Sequence, residues 1–309
     1  MAIMRKLLLA GSTNRWLREQ ATRRRFVRRS VSRFMPGESI DDAIQAASAL
    51  QGERITAILT RLGENISRAD EAEEVTRHYL DVLDKVAAAG LDAQISVKPT
   101  QLGLDLDPNL CQQNLDRLVD HAGQRGNFVW IDMESSPYVD RTLDLFRTTR
   151  RRSERIGVAL QAYLHRTERD LDALLPLGAA IRLVKGAYLE PAEVAHPKKA
   201  DVDRSFFDLA CRALVEGPSH AGGVLHVATH DIALVDRIIR FIDERRVQES
   251  AYEFAMLYGI QRVQQQRLAR EGRRLRVLIS YGEYWFPWYM RRLAERPANV
   301  LFVLKHLAG

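Results

Sequence analysis

Short, almost continuously apolar runs alternate with longer stretches of helical periodicity over most of this chain. The apolar runs are Ile55–Thr60 (ITAILT), Ala93–Val97 (AQISV), Phe128–Ile131 (FVWI), Val158–Tyr163 (VALQAY), Ala180–Val184 (AIRLV), Val224–Ala228 (VLHVA), Phe254–Leu257 (FAML) and Leu275–Ser280 (LRVLIS). Helical patterns fill the gaps: from near Asp70 to Gly90, Leu110–Gly123, Tyr138–Arg150, from Glu168 onward, Ser205–Leu214 and Ile232–Arg245. Glu38–Leu50 is a further amphipathic helix, with acidic residues in its first turns where the helix dipole favours them. Strands this short and this apolar suit a parallel sheet covered on both faces. Eight strand–helix units in about 250 residues predict an α/β fold of the (β/α)8 TIM-barrel type. The competing doubly wound open sheet lacks support, because no G-x-G-x-x-G follows the first strand. Residues 1–35 read as a basic helical segment, ended by Pro36-Gly37, and Gly186–Asp203 reads as an insertion with two prolines. The expected organisation is therefore a basic helical arm and helices over 1–50, then a barrel over 51–309.

Composition narrows the class. The chain has 309 residues, 46% of them hydrophobic and 28% charged, enough for one large core. Two cysteines, Cys111 and Cys211, make no disulfide framework, and a reducing compartment follows as the default. No apolar run approaches the ~18 residues of a membrane span. The apolar run near the start is too short for a signal peptide, so the reading is cytoplasmic. Charge is uneven. Residues 1–33 hold ten Lys/Arg against Glu19, a net +9, so a total of +6 leaves the remainder at −3. A basic arm with Trp16, Leu17, Phe26, Val27 and Phe34 interleaved suits the anionic inner face of a cell membrane, that is, peripheral association. Nucleic acid is excluded as a partner, since no other part of the chain repeats the basic signal.

Barrel chemistry gathers where strands end at the C-terminal face. Those ends carry Lys98, Asp132, Gln161 with Tyr163, Arg182 with Lys185, Thr229 with His230, and Leu257 with Tyr258. Charges placed there need partners or a charged ligand. His226 and His230 are four apart, but on a strand that spacing is too long for a shared ion, so no metal is expected. Beyond the last strand, YGEYWFPWYMRRLAERPAN places Arg291 and Arg292 within a turn of Glu295. Two guanidinium forks side by side fit an anion such as a substrate carboxylate, with Glu295 orienting one of them. Tyr284, Trp285, Phe286 and Trp288 are placed to wall the site from water. From the residues alone, Lys185 or Lys98 could also serve as a Schiff-base lysine in an aldolase-like barrel.

These same segments carry a resemblance. SVKPTQLGLD, FVWIDMESS, LQAYLHRTERDL, RLVKGAYLEP, VATHD, YEFAMLYGI and the last-helix stretch, in that order, resemble proline dehydrogenase. The length is similar to the single-function bacterial form, and the likeness runs from about Gly37 to the C-terminus. The resemblance implies an FAD-dependent barrel that oxidises L-proline to Δ1-pyrroline-5-carboxylate by hydride transfer and passes electrons to a quinone. It implies that Lys98, Arg291 and Arg292, with Glu295, bind the substrate carboxylate, and that Tyr188 and Leu257 wall the substrate ring. Asp132 and Arg182 would be the catalytic residues beside the flavin. Met133, Gln161, Lys185, Gly186, Ala187, Thr229 and His230 would line the cofactor. Three positions depart from the family pattern: Leu278 stands where a tyrosine is usual, Ser280 where a proline is, and Ala255 where a glutamine is. Leu278 joins the substrate-wall set, and the departures make 4-hydroxyproline or another cyclic or N-alkyl amino acid a second substrate candidate.

Overall fold

The computed structural model describes residues 31–63, 66–219, 222–286 and 288–290. Helix α1 (Ile40–Gly52) precedes the first strand. Ser39 caps it by accepting the Asp42 amide at 3.1 Å, and the Asp42 carboxylate accepts the Ser39 amide in return. Strands and helices then alternate: β1 (Thr56–Arg61), α2 (Ala69–Ala88), β2 (Ala93–Val97), α3 (Pro108–Gln124), β3 (Val129–Ile131), α4 (Val139–Arg150), β4 (Ile156–Gln161), α5 (Thr167–Leu174), β5 (Ala180–Val184), α6 (Lys199–Glu216), β6 (Leu225–Ala228), α7 (Ile232–Arg245), β7 (Tyr252–Leu257), α8 (Arg262–Arg270) and β8 (Leu275–Tyr281). The eight strands are parallel and close in sequence order, β8 pairing with β1 from Thr56↔Arg276 to Arg61↔Tyr281. The (β/α)8 expectation holds.

Several element boundaries differ from the reading of the sequence, two of them with a clear physical reason. The fourth strand starts two residues earlier, at Ile156, and includes Gly157. Helix α6 starts at Lys199, so the last five residues of the expected insertion, Lys199 to Asp203, open a helix. Its polar opening, KADVDR, hid the apolar periodicity that begins at Phe206.

Register partners in a parallel sheet share a face, and this sorts the strand residues. Ala57, Leu59, Ile95, Val97, Val158, Leu160, Ile181 and Leu183 face outward and pack under the helices. The inner set contains Ile58, Gln94, Ser96, Trp130, Gly157, Arg182, His226, Glu253 and Arg276. The barrel lumen is therefore unusually polar. Near its N-terminal end Arg276 donates through Nε to Glu253 at 2.6 Å and through Nη1 to Asp92 at 2.9 Å. Arg274 pairs with the same Glu253, and His226 Nε2 lies 3.4 Å from it.

A second apolar cluster lies outside the barrel. Val31 and Met35 pack with Leu62, Trp285, Phe286, Trp288 and Tyr289. Trp285 donates its indole N–H to Glu38 at 2.9 Å. The aromatic group after β8 thus packs on the segment leading into α1, and Tyr284 points to solvent at 59% exposure instead of walling the site. The basic arm up to residue 30 lies outside the described residues.

Candidate active site

At the C-terminal mouth of the barrel a cleft of about 590 Å³ is bounded by the ends of several strands. That volume falls within the usual range of small-molecule and cofactor sites. Asp132 and Met133 enter it just past β3, Gln161 from the end of β4, and Arg182 from β5. Lys185, Gly186, Ala187 and Tyr188 line it from the segment leaving β5. Thr229 and His230 follow β6, and Leu257 and Leu278 come from β7 and β8. Of the residues singled out in the sequence, Lys98, Tyr163, Tyr258 and Ser280 are not part of this lining. Lys98 reaches the cleft through Asp132. Arg291, Arg292 and Glu295 lie outside the described residues.

The electrostatic centre is a four-residue network. Ser96 donates its hydroxyl to Asp132 at 2.7 Å, and Arg182 Nη2 donates to Ser96 Oγ at 2.9 Å and also to Asp132 Oδ1. Lys98 Nζ stands 3.4 Å from the other oxygen, Oδ2. Burial pushes the Asp132 carboxyl up, but Arg182, Lys98 and Ser96 outweigh it and hold the group below the usual carboxylate range. Burial lowers the Arg182 guanidinium from its ordinary value, with Asp132 opposing the change. Ser96 was not anticipated from the sequence. The available signal was strand alternation, which puts it on the inner face two residues before Lys98.

The segment leaving β5 is built to hold its position. Gly186 has φ +114°, and a Cβ there would come within 2.2 Å of the Tyr163 ring, so the turn over Tyr163 needs glycine. Further on, Glu190 accepts from both the amide and hydroxyl of Ser136 at 2.7 Å, and Leu164 and Ala195 form an isolated bridge. Lys185 pairs with Asp203 and Asp231, and Lys199 shares both carboxylates. Burial acts to raise the Asp231 carboxyl, but the two lysines win and take it down to about 2. Lys185 is thus committed to two carboxylates, whereas a Schiff-base lysine works as a free amine. His230 Nε2 accepts the Leu257 amide at 2.8 Å, which puts the ring proton on Nδ1.

A flavin would have to match the polar groups left over in this cleft. Gln161 spends its amide N–H on the Met133 and Glu134 carbonyls, leaving a buried Oε1 with no hydrogen-bond partner among the described residues. Arg182 Nη1 is buried and equally without one. An acceptor and a cationic donor, unmatched and on residues that line one cleft, suit a planar heterocycle with N–H and carbonyl edges that gains negative charge on reduction. The residues fit the group. Among the described residues, no cluster of three His, Cys, Asp or Glu side chains could hold a metal ion.

A closed (β/α)8 barrel with a half-buried carboxylate paired to a buried guanidinium at its C-terminal mouth defines a barrel enzyme whose site is on the face that such enzymes use. Comparison with known proteins makes the class specific. Residues 43–305 match the family model described as proline dehydrogenase. The chain is 40% identical over 280 residues to the proline dehydrogenase of Deinococcus radiodurans, covering 89% of both chains. It is 35% identical over 305 residues to proline dehydrogenase 2 of Bacillus subtilis subsp. natto, covering 99% of this chain and 98% of that one. Among solved structures, proline utilization A from Bdellovibrio bacteriovorus, inactivated by N-propargylglycine, superposes with a TM-score of 0.80 at 22% identity. That likeness covers 86% of this chain and 32% of the longer protein, and it bears on the fold alone. The chain belongs to the proline dehydrogenase family, oxidoreductases that act on CH–NH donors.

Proposed function

We propose that this enzyme uses FAD to oxidise L-proline to Δ1-pyrroline-5-carboxylate and passes the electrons to a quinone. The observation that carries the reading is the Asp132–Arg182–Ser96–Lys98 network beside two unmatched buried groups, Arg182 Nη1 and Gln161 Oε1, in one cleft. A flavin bound there would supply the hydride acceptor. Gln161, Met133, Gly186, Ala187, Thr229, His230 and Lys185 would hold it, and Arg182 would place positive charge where negative charge develops.

Lys98, with Arg291, Arg292 and Glu295 from the last segment, holds the substrate carboxylate. Tyr188, Leu257 and Leu278 contact the ring. The substrate nitrogen is cationic at neutral pH and loses a proton before its neighbouring carbon gives up hydride. Asp132, held below the usual carboxylate range by Arg182, Lys98 and Ser96, stays ionised and orients Arg182 and Lys98. Orientation of this kind removes several kcal/mol of barrier, on the order of 7–11 in ideal cases. The test is the visible spectrum of the purified protein with and without anaerobic L-proline. Flavin bands that bleach on addition support the reading. Absence of flavin after incubation with FAD sinks it.

A second reading, 4-hydroxyproline or another cyclic amino acid as substrate, draws on the cleft wall. Leu278 is the register partner of both Leu257 and Ile58, and all three line the cleft beside Ala255. The wall is aliphatic and lacks the bulk and hydroxyl of a tyrosine. If proline exceeds trans-4-hydroxyproline in kcat/KM by much more than the roughly 200-fold a pocket change of this kind supplies, this reading is wrong. The basic arm over 1–33 is the part we assign to an anionic membrane surface, where a quinone would be reached. No helix among the described residues is long and apolar enough to cross a membrane.

A further inference from the structure

Trp130 is the largest fully buried side chain of the barrel, and it does not line the cleft. Its neighbours do more than enclose it. The indole N–H donates to Gln94 Oε1 at 2.7 Å. Gly157, its register partner on β4, leaves the space the ring occupies, since a Cβ there would come within 2.6 Å of Trp130 Cζ3. The His226 ring lies 4.3 Å away between centroids. The Arg182 guanidinium sits over the indole with Cζ 5.3 Å from its centroid, close enough for a cation–π contact. Layers inside barrels of this type are usually filled by branched aliphatics, which would exclude water as well. What an aliphatic filler cannot provide is a flat, anchored face.

Arg182 needs such a face. Both of its hydrogen bonds, to Ser96 and to Asp132, leave from Nη2. Contacts through one nitrogen fix a point and leave the guanidinium plane free to swing about it. Nη1, the group with no partner, is the one such a swing would displace. We propose that Trp130, anchored by Gln94, is a positioning residue that sets the plane of Arg182 and so the aim of Nη1 into the cleft. The proposal rests on Arg182 belonging to the active site.

The test is a double-mutant cycle on the flavin-loaded enzyme, with FAD affinity of the apoprotein as a second readout and Tm as the control for folding. The variants are W130L, W130F, Q94L, R182K and W130L/R182K. W130L is expected to lower kcat between about 10- and 100-fold, with a smaller change in KM, as for a catalytic group misaimed by about an ångström. W130F keeps a ring face and should lose less kcat than W130L at a similar loss of Tm. FAD affinity should weaken in W130L. In the R182K background, W130L should change neither kcat nor FAD affinity further, because residues that act through one group are not additive. If R182K is impaired and the W130L effect multiplies through unchanged, Trp130 only fills space and the proposal fails. If R182K alone has the wild-type kcat, the assignment of Arg182 itself falls, a different result from the first. Should W130L not fold, Q94L decides the matter: it removes the anchor from a half-buried position, and wild-type kcat with wild-type FAD affinity in that variant overturns the proposal.

Discussion

At the scale of single residues the site depends on a charge that has little room to move. Asp132 accepts from Ser96 and Arg182 and faces Lys98, so one carboxylate serves three donors. Asp132→Asn removes the counter-charge of a buried guanidinium. Breaking such a pair costs about 3–5 kcal/mol, and urea unfolding of D132N against wild type should read a loss of that size together with a fall in kcat. Ser96→Ala, which leaves the ion pair in place, should cost only about 1 kcal/mol. Equal losses from the two variants would mean that the pair carries no special weight. The sequence marks Asp132 because charge at the end of an apolar run is conspicuous, and Arg182 because a charge inside one is. It marks Ser96 weakly, because a serine within AQISV reads as a polar interruption until the strand's inner face is known.

At the scale of elements the strands are two-faced, and only one face was readable in advance. The outer positions are aliphatic and announced the strands. The inner positions of β6, β7 and β8 carry His226, Glu253 and Arg276; the apolar runs include His226 and Arg276 without showing that they meet, and leave Glu253 outside the seventh run. Gly157 misled for a related reason: glycine within an apolar run looks like a boundary, whereas here it makes room for the ring of Trp130. The inner network has a pH signature. Burial would raise the Glu253 carboxyl, but Arg276, His226 and Arg274 take it down to about 2, and burial lowers His226 to about 3. Both folded-state values lie below the unfolded ones. Glu253 therefore contributes stability that is full above about pH 4.5 and is lost as pH falls toward 2. The unfolded chain protonates His226 near 6.5 while the folded protein resists to about 3, so stability also declines with falling pH across that window. In Glu253→Gln, the Tm deficit relative to wild type should be large at neutral pH and shrink as pH drops from 4.5 toward 2. A pH-independent deficit would show that only packing was lost.

At the scale of the whole molecule, the cleft draws on most of the strands, so a ligand that fills it ties together elements far apart in sequence. A ligand that binds only the folded state stabilises it by about 2.7 kcal/mol at a hundredfold excess over Kd. FAD added to apoprotein should therefore raise Tm in a concentration-dependent way, and an unchanged Tm would argue against the cleft as its site. The closing pair of the barrel has its own consequence during synthesis. β1 finds its second neighbour only when β8 arrives, more than 200 residues later in the chain. Until then the nascent sheet keeps an open edge at β1, a template for pairing with other chains. The segment at Val31 and Met35 likewise waits for Trp285 and Phe286. A chain whose synthesis halts before Leu275 would therefore lack β8 and leave both the β1 edge and the apolar surface at Val31 and Met35 uncovered.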